Sequence, residues 1–200
     1  MPDDDLRFAI DLGLVRMTAE GGLDVANPIY REIIVRSLSF TAQASLPQIP
    51  TTWLTPEGRL DEQRLLETFL AFWKQHGEPL LGAAPYHEVA PHLVLMAFLH
   101  RVVNGGSIER EYAIGRGRMD LCVKHGQDTL AIEIKVWHPG RVDPLAVGLE
   151  QLDGYLAKLG LGGGWLVLFD RRPGLAPIEE RLATFDAITA GGRTVRVIRA

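Results

Sequence analysis

Residues 117–137 read GRMDLCVKHGQDTLAIEIKVW, and the reading of this stretch decides the fold. Leu130, Ile132, Ile134 and Val136 alternate with Ala131, Glu133, Lys135 and Trp137, and Met119, Leu121 and Val123 alternate with Arg118, Asp120, Cys122 and Lys124. A period of two is that of a strand, with the apolar set facing a core and the other set facing outward. The strands lie at about 117–124 and 129–137, and the connection His125-Gly126-Gln127-Asp128 makes them a hairpin. Symmetry about Gly126-Gln127 makes the numbers of opposed residues sum to 253. Asp120 then stands across from Glu133, and Arg118 across from Lys135, with opposed Cβ atoms about 4.5–5.5 Å apart. A bulge in either strand would shift this register.

Like charges placed directly opposite each other are destabilising. A small hard cation that takes oxygen ligands relieves the repulsion between two carboxylates. Mg²⁺ (or Mn²⁺) held by Asp120, Glu133 and the Ile134 carbonyl activates water and neutralises charge building on a scissile phosphate. Lys135 positions that water or stabilises the developing phosphorane. The competing reading is a surface strand with ordinary charges, because isolated D…ExK patterns are common by chance.

Outward from the hairpin, a first strand at about 107–114 precedes it and a helix at about 143–159 follows, with Asp143 as N-cap. The run Trp165–Phe169 is apolar throughout, as in a buried strand. Gly160–Gly164 is the turn before it; it lacks the Lys and Ser/Thr of a phosphate loop. A helix near 177–188 and a strand at 193–198 complete this part. Upstream, Leu65, Leu66, Phe69, Leu70 and Trp73 give a helix over 61–76. The segment 77–85 reads as a loop, and a second helix runs from about 88 to 104, ending at Gly105-Gly106.

Residues 1–40 hold two short strands, Leu14–Met17 and Leu23–Ala26, and a helix starting at Asn27-Pro28. That is a winged-helix-like remnant without the helices that would precede it. Either the chain is the tail of a longer protein or the hairpin packs on the next domain. Residues 41–60 carry three prolines and read as a linker, which leaves 61–200 as the main domain.

The order helix, three strands, helix, strand around Asp120 and Glu133-Ile134-Lys135 resembles the PD-(D/E)XK nuclease superfamily over roughly residues 86–170. The resemblance implies an α/β, restriction-endonuclease-like fold: a mixed central sheet flanked by helices. It adds Glu88, where many members have an extra acidic residue, to the metal site. Gln151-Leu152-Asp153-Gly154-Tyr155 is similar to the Q-x-x-x-Y element of the RecB-like branch. That implies that Gln151 supports catalysis and that Tyr155 touches substrate; core packing is the other reading of Tyr155. The run from Arg110-Glu111-Tyr112 to Asp120-Leu121 resembles the nuclease-like C-terminal domain of bacterial AAA-ATPase-like proteins. An ATPase partner or a missing N-terminal ATPase module is implied, although no phosphate-loop motif stands in this sequence. The expected function is a Mg²⁺-dependent nuclease. The alternative is a catalytically silent nuclease-fold module for ATPase docking, homodimerisation or nucleic-acid binding.

Net charge is −4, so the whole molecule is no trap for nucleic acid, yet residues 101–141 carry seven Lys/Arg against five acids. Arg116 and Arg118 flank Gly117 in a tight turn, as phosphate contacts or as solvated turn charges. Trp137, two residues past Lys135 on the same face, is the tryptophan placed to stack on a substrate. Asp170-Arg171-Arg172 reads first as a structural ion pair, and second as a contact to backbone phosphate. His87-Glu88 and His92 miss the zinc H-E-x-x-H spacing by one residue, which sets the histidines about 140° apart on a helix. The single cysteine, Cys122, excludes an internal disulfide and suits a buried thiol in a reducing compartment. With no signal-peptide pattern at MPDDDLRF and no apolar run of membrane length, the expectation is a cytoplasmic protein without a membrane partner.

Overall fold

The hairpin forms and stands within a six-stranded sheet. The computed structural model describes residues 15–17, 23–25, 53–83, 90–102, 107–114 and 117–200. Two compact units divide the chain, Met1–Leu46 and Pro47–Ala200. In the first, β1 (Val15–Met17) pairs antiparallel with β2 (Leu23–Val25). The helix expected after Asn27 lies outside the described residues.

The second unit is a mixed α/β domain. Its helices are α1 (Glu62–Ala83), α2 (Ala90–Val102), α3 (Leu145–Leu159) and the short α4 (Ile178–Arg181). Its strands are β3 (Ser107–Ile114), β4 (Gly117–His125), β5 (Asp128–Trp137), β6 (Gly163–Asp170), β7 (Ala183–Ile188) and β8 (Thr194–Arg199), in sheet order β3-β4-β5-β6-β8-β7. β3, β4 and β5 are antiparallel neighbours; β5, β6 and β8 run parallel; β7 closes the far edge antiparallel to β8. A parallel β5–β6 pair needs a crossover, and α3 supplies it. No described helix is long and apolar enough to cross a membrane.

Both faces of the sheet are covered. On one, Trp73 of α1 meets Phe169 with ring centres 4.8 Å apart, and Phe69 packs on Phe98 of α2 at 5.4 Å. On the other, Leu152 and Leu156 of α3 join Cys122, Ala131, Leu166, Leu168, Val195 and Val197 in a buried cluster. Gly148 lets α3 approach, since a Cβ there would stand 2.6 Å from a Leu166 methyl. The strand face expected to look outward is therefore a second core: Ala131 is fully buried and Glu133 is 3% exposed. The helix that covers it carries its own apolar stripe, which the strand pattern alone does not assign to that face.

Two further expectations are corrected. The segment 77–83 continues α1 instead of forming a loop. Gly77 lies under the Trp73 ring, where a Cβ would be 2.9 Å from ring carbons, so its missing side chain serves packing rather than a helix stop. Of the helix expected at 177–188, only Ile178–Arg181 forms, and Ala183–Ile188 is β7. Pairing with β8 satisfies that backbone, and Thr184, Phe185 and Ile188 suit a strand. Within the span read as a linker, Leu54 bridges Leu60 and Trp53 is fully buried.

Candidate functional site

The hairpin register is pinned from its turn end. Asp128 accepts hydrogen bonds from Arg59, including two from Nε at 2.9 Å, and one from the Leu60 amide at 2.9 Å. His125 Nε2 lies 3.1 Å from the Gly58 carbonyl, and its ring meets Trp53 edge-on at 4.9 Å. The Arg59 guanidinium, followed by the Leu60 amide, holds the Asp128 carboxyl down at about 2. The β4–β5 ladder that results follows the sum of 253 from His125↔Asp128 to Leu121↔Ile132.

There the ladder stops, one step short of the expected Asp120–Glu133 pair. Asp120 lies just past the last β4–β5 pair, while the β3–β4 register continues on both sides of it through Arg110↔Leu121 and Tyr112↔Met119. Its side chain takes the place of backbone: Oδ2 accepts the Ile134 amide at 2.7 Å. The amide and carbonyl of one strand residue point to the same side, so the Ile134 carbonyl also faces the gap.

Glu133 is the only charged side chain among the described residues that is buried. Its Oε1 accepts from Lys135 Nζ at 2.5 Å, while Oε2 is buried without a hydrogen-bond partner. Burial, and then the charge of Asp120, pushes its carboxyl up to about 6, against the pull of the Lys135 ammonium. An orphaned buried carboxylate oxygen beside a second carboxylate is a donor set that a small divalent cation fits, with remaining positions left to water or phosphate oxygens. Among the described residues no group of three or more His, Cys, Asp or Glu converges, so the protein would supply few ligands.

The other expected site residues are placed differently. Gln151 is exposed on α3, and no hydrogen bond joins it to the carboxylates among the described residues. Tyr155 packs half-buried against the cluster under α3, with Lys158 Nζ 6.0 Å from its ring centre. Glu88, Arg116 and His87 lie outside the described residues, as does the side chain of Arg118. Cys122 is a buried thiol outside any disulfide.

Sequence reasoning missed how the carboxyl ends of β5, β6 and β8 are joined. The Arg172 guanidinium lies 3.5 Å above the Trp137 ring centre and that of Arg199 lies at 5.7 Å. Asp170 binds Arg172 at 2.6 Å, so the ion pair expected there forms, and Asp143 binds Arg199 at 2.6 Å. Asp143 also accepts the Leu145 amide at 3.0 Å at the start of α3. The available signal was parity: Lys135, Leu168 and Arg199 share one cross-strand row, and Trp137 and Asp170 the next.

Fold and site together define a mixed α/β domain with a buried carboxylate–lysine pair at the point where two strands part. Compared with protein-family models, curated proteins and solved structures, the chain matches none of them.

Proposed function

We propose that this domain is a divalent-metal-dependent phosphodiesterase of the PD-(D/E)XK type that acts on nucleic acid. The observation that carries the reading is Glu133, a buried carboxylate with an unpartnered oxygen, gathered with Asp120 and Lys135 at the β4–β5 gap. Asp120, Glu133 and the Ile134 carbonyl would hold Mg²⁺ or Mn²⁺. When bound, the cation supplies an acidified water and charge neutralisation at phosphate.

The chain's own residues have separate tasks. The Ile134 amide fixes the Asp120 carboxylate through its bond to Oδ2. Glu133 keeps Lys135 Nζ on the site side of the strand. Lys135 donates to phosphate oxygen as negative charge builds there, an interaction that strengthens toward the transition state. The α3 side excludes bulk water from Glu133, which strengthens each of these electrostatic terms. A restriction-endonuclease-like architecture accords with the sheet order and the parallel β5–β6 crossover.

The test is Mg²⁺- or Mn²⁺-dependent cleavage of single- and double-stranded DNA and RNA by wild type and by Lys135→Ala. Cleavage by wild type alone is expected; equal background from both proteins removes the enzymatic reading. The second reading, a silent nuclease-fold module, is favoured by one feature: the 2.5 Å bond that already engages Lys135 Nζ with Glu133. Calorimetry decides between them, because the module predicts no heat of Mg²⁺ binding.

A further inference from the structure

We infer that the carboxyl edge of β5, β6 and β8 is a phosphate cradle, in which Arg172, Arg199 and Arg141, set by Trp137, hold the backbone of a nucleic-acid strand leading to Lys135. The inference rests on the phosphodiesterase reading for its choice of ligand, and its geometry stands apart from the metal site. Glu133, Lys135 and Trp137 lie on one face of β5, with Trp137 about 6.6 Å beyond Lys135. The row Lys135–Leu168–Arg199 brings Arg199 level with the lysine, and the next row, Trp137–Asp170, carries Arg172 just past its end.

Trp137 is not free to act as a base platform, because Arg172 already covers its ring at 3.5 Å. Its indole is fixed by the bond from Nε1 to the Arg141 carbonyl at 2.8 Å. The ring therefore orders two guanidiniums. Asp170 engages Nε and Nη2 of Arg172, and Asp143 engages Nη2 of Arg199. Among the described residues, Nη1 of Arg172 and the other two nitrogens of Arg199 have no hydrogen-bond partner. The two side chains are 38% and 28% exposed. A guanidinium held by a carboxylate on one edge and an aromatic ring on one face keeps its remaining donors in a fixed direction, which suits phosphate oxygens. The backbones of Arg141 and Arg171 meet Trp137 at the same edge, through the Arg141 carbonyl and through the Arg171 amide, which donates to the Trp137 carbonyl at 2.9 Å, so this edge gathers arginines in a chain of net charge −4.

The test is anisotropy of a labelled single-stranded oligonucleotide, titrated at several salt concentrations in EDTA so that no metal chemistry enters. Each phosphate contact contributes about 0.7–0.9 to the slope of log K against log salt. Arg172→Gln/Arg199→Gln is expected to lower the slope by close to two contacts and the affinity by about tenfold or more. Arg141→Ala, which removes an exposed side chain and keeps the carbonyl used by Trp137, is expected to lower the slope by about one contact. Arg64→Ala, an exposed side chain on the outer face of α1, should leave it unchanged. If the double variant fails to fold by circular dichroism, Arg141→Ala alone decides. Absence of salt-dependent wild-type binding, a wild-type slope in the folded variants, equal loss in Arg64→Ala, or equal competition by polyglutamate overturns the inference. Binding that depends on these arginines, with no cleavage when Mg²⁺ is added, leaves the cradle standing and removes the nuclease reading. Cleavage by wild type with unchanged slopes in the variants does the reverse.

Discussion

Asp128 and Glu133 lie on the same strand, and the fold treats the two carboxylates in opposite ways. Asp128, at the turn end, is bound by a guanidinium and an amide and is held at about 2. Glu133, at the open end, keeps one oxygen buried without a partner and is pushed up to about 6. A carboxylate that serves the fold is saturated with donors. One kept unsaturated in a dry place costs stability, and such groups concentrate at functional sites. The β4–β5 hairpin thus has a structural end and a chemical end, and Asp120 divides them by replacing a backbone partner of Ile134.

The hardest test of this division is activity. Lys135→Ala and Asp120→Asn should each lower metal-dependent cleavage by about 100-fold or more. Lys135→Ala removes the ammonium that partners the buried Glu133, so its circular dichroism spectrum should stay that of the folded protein while its melting temperature falls. Parallel loss of fold and cleavage in both variants would make the open end structural after all.

Next in size is the energetic cost of Glu133 itself. A carboxyl raised from an ordinary 4.5 to about 6 favours the folded state only while it is protonated. The contribution is fully present below pH 4.5 and is lost as pH rises through about 6. Above that, the charged group costs on the order of 2 kcal/mol. Glu133→Gln should therefore be more stable than wild type at pH 7.5 by about 1–2 kcal/mol, with the difference closing below pH 4.5. Urea unfolding at both pH values checks this. Mg²⁺ should raise the wild-type melting temperature and leave that of Glu133→Gln nearly unmoved, because only the native wild type offers the site.

How far this was legible varies by residue. The hairpin register followed from period-two alternation and a two-residue turn, both local, and it held up to Leu121↔Ile132. The gap at Asp120 did not follow, because it depends on a side chain competing for one amide. Burial of Glu133 was missed because a polar residue at alternate positions reads as solvent-facing unless the covering helix is known. β7 was missed because ATFDAI becomes a strand by pairing with β8, whose residues come later in the chain. The clamp from Arg59 to Asp128 and the arginine pair over Trp137 join residues far apart in sequence, and only the assembled sheet brings them together.

The smallest expected effect falls at the structural end. Arg59 is 68% exposed, so its pair with Asp128 is screened and contributes modestly. Asp128→Asn keeps an oxygen for the Leu60 amide and loses the charge facing Arg59. The depressed carboxyl stabilises the fold above its ordinary value of 3.8, and that contribution disappears as pH falls through about 2. The denaturation midpoint of Asp128→Asn should lie slightly below wild type at pH 7 and low salt. It should approach wild type at 1 M salt, where the Debye length shrinks to about 3 Å, and again at pH 2. Cleavage should be unchanged throughout, because the register still has His125, Trp53 and the turn to hold it. A cleavage defect in Asp128→Asn without loss of fold would show that the turn end sets the geometry of the open end, and the two ends of the hairpin would then be one unit.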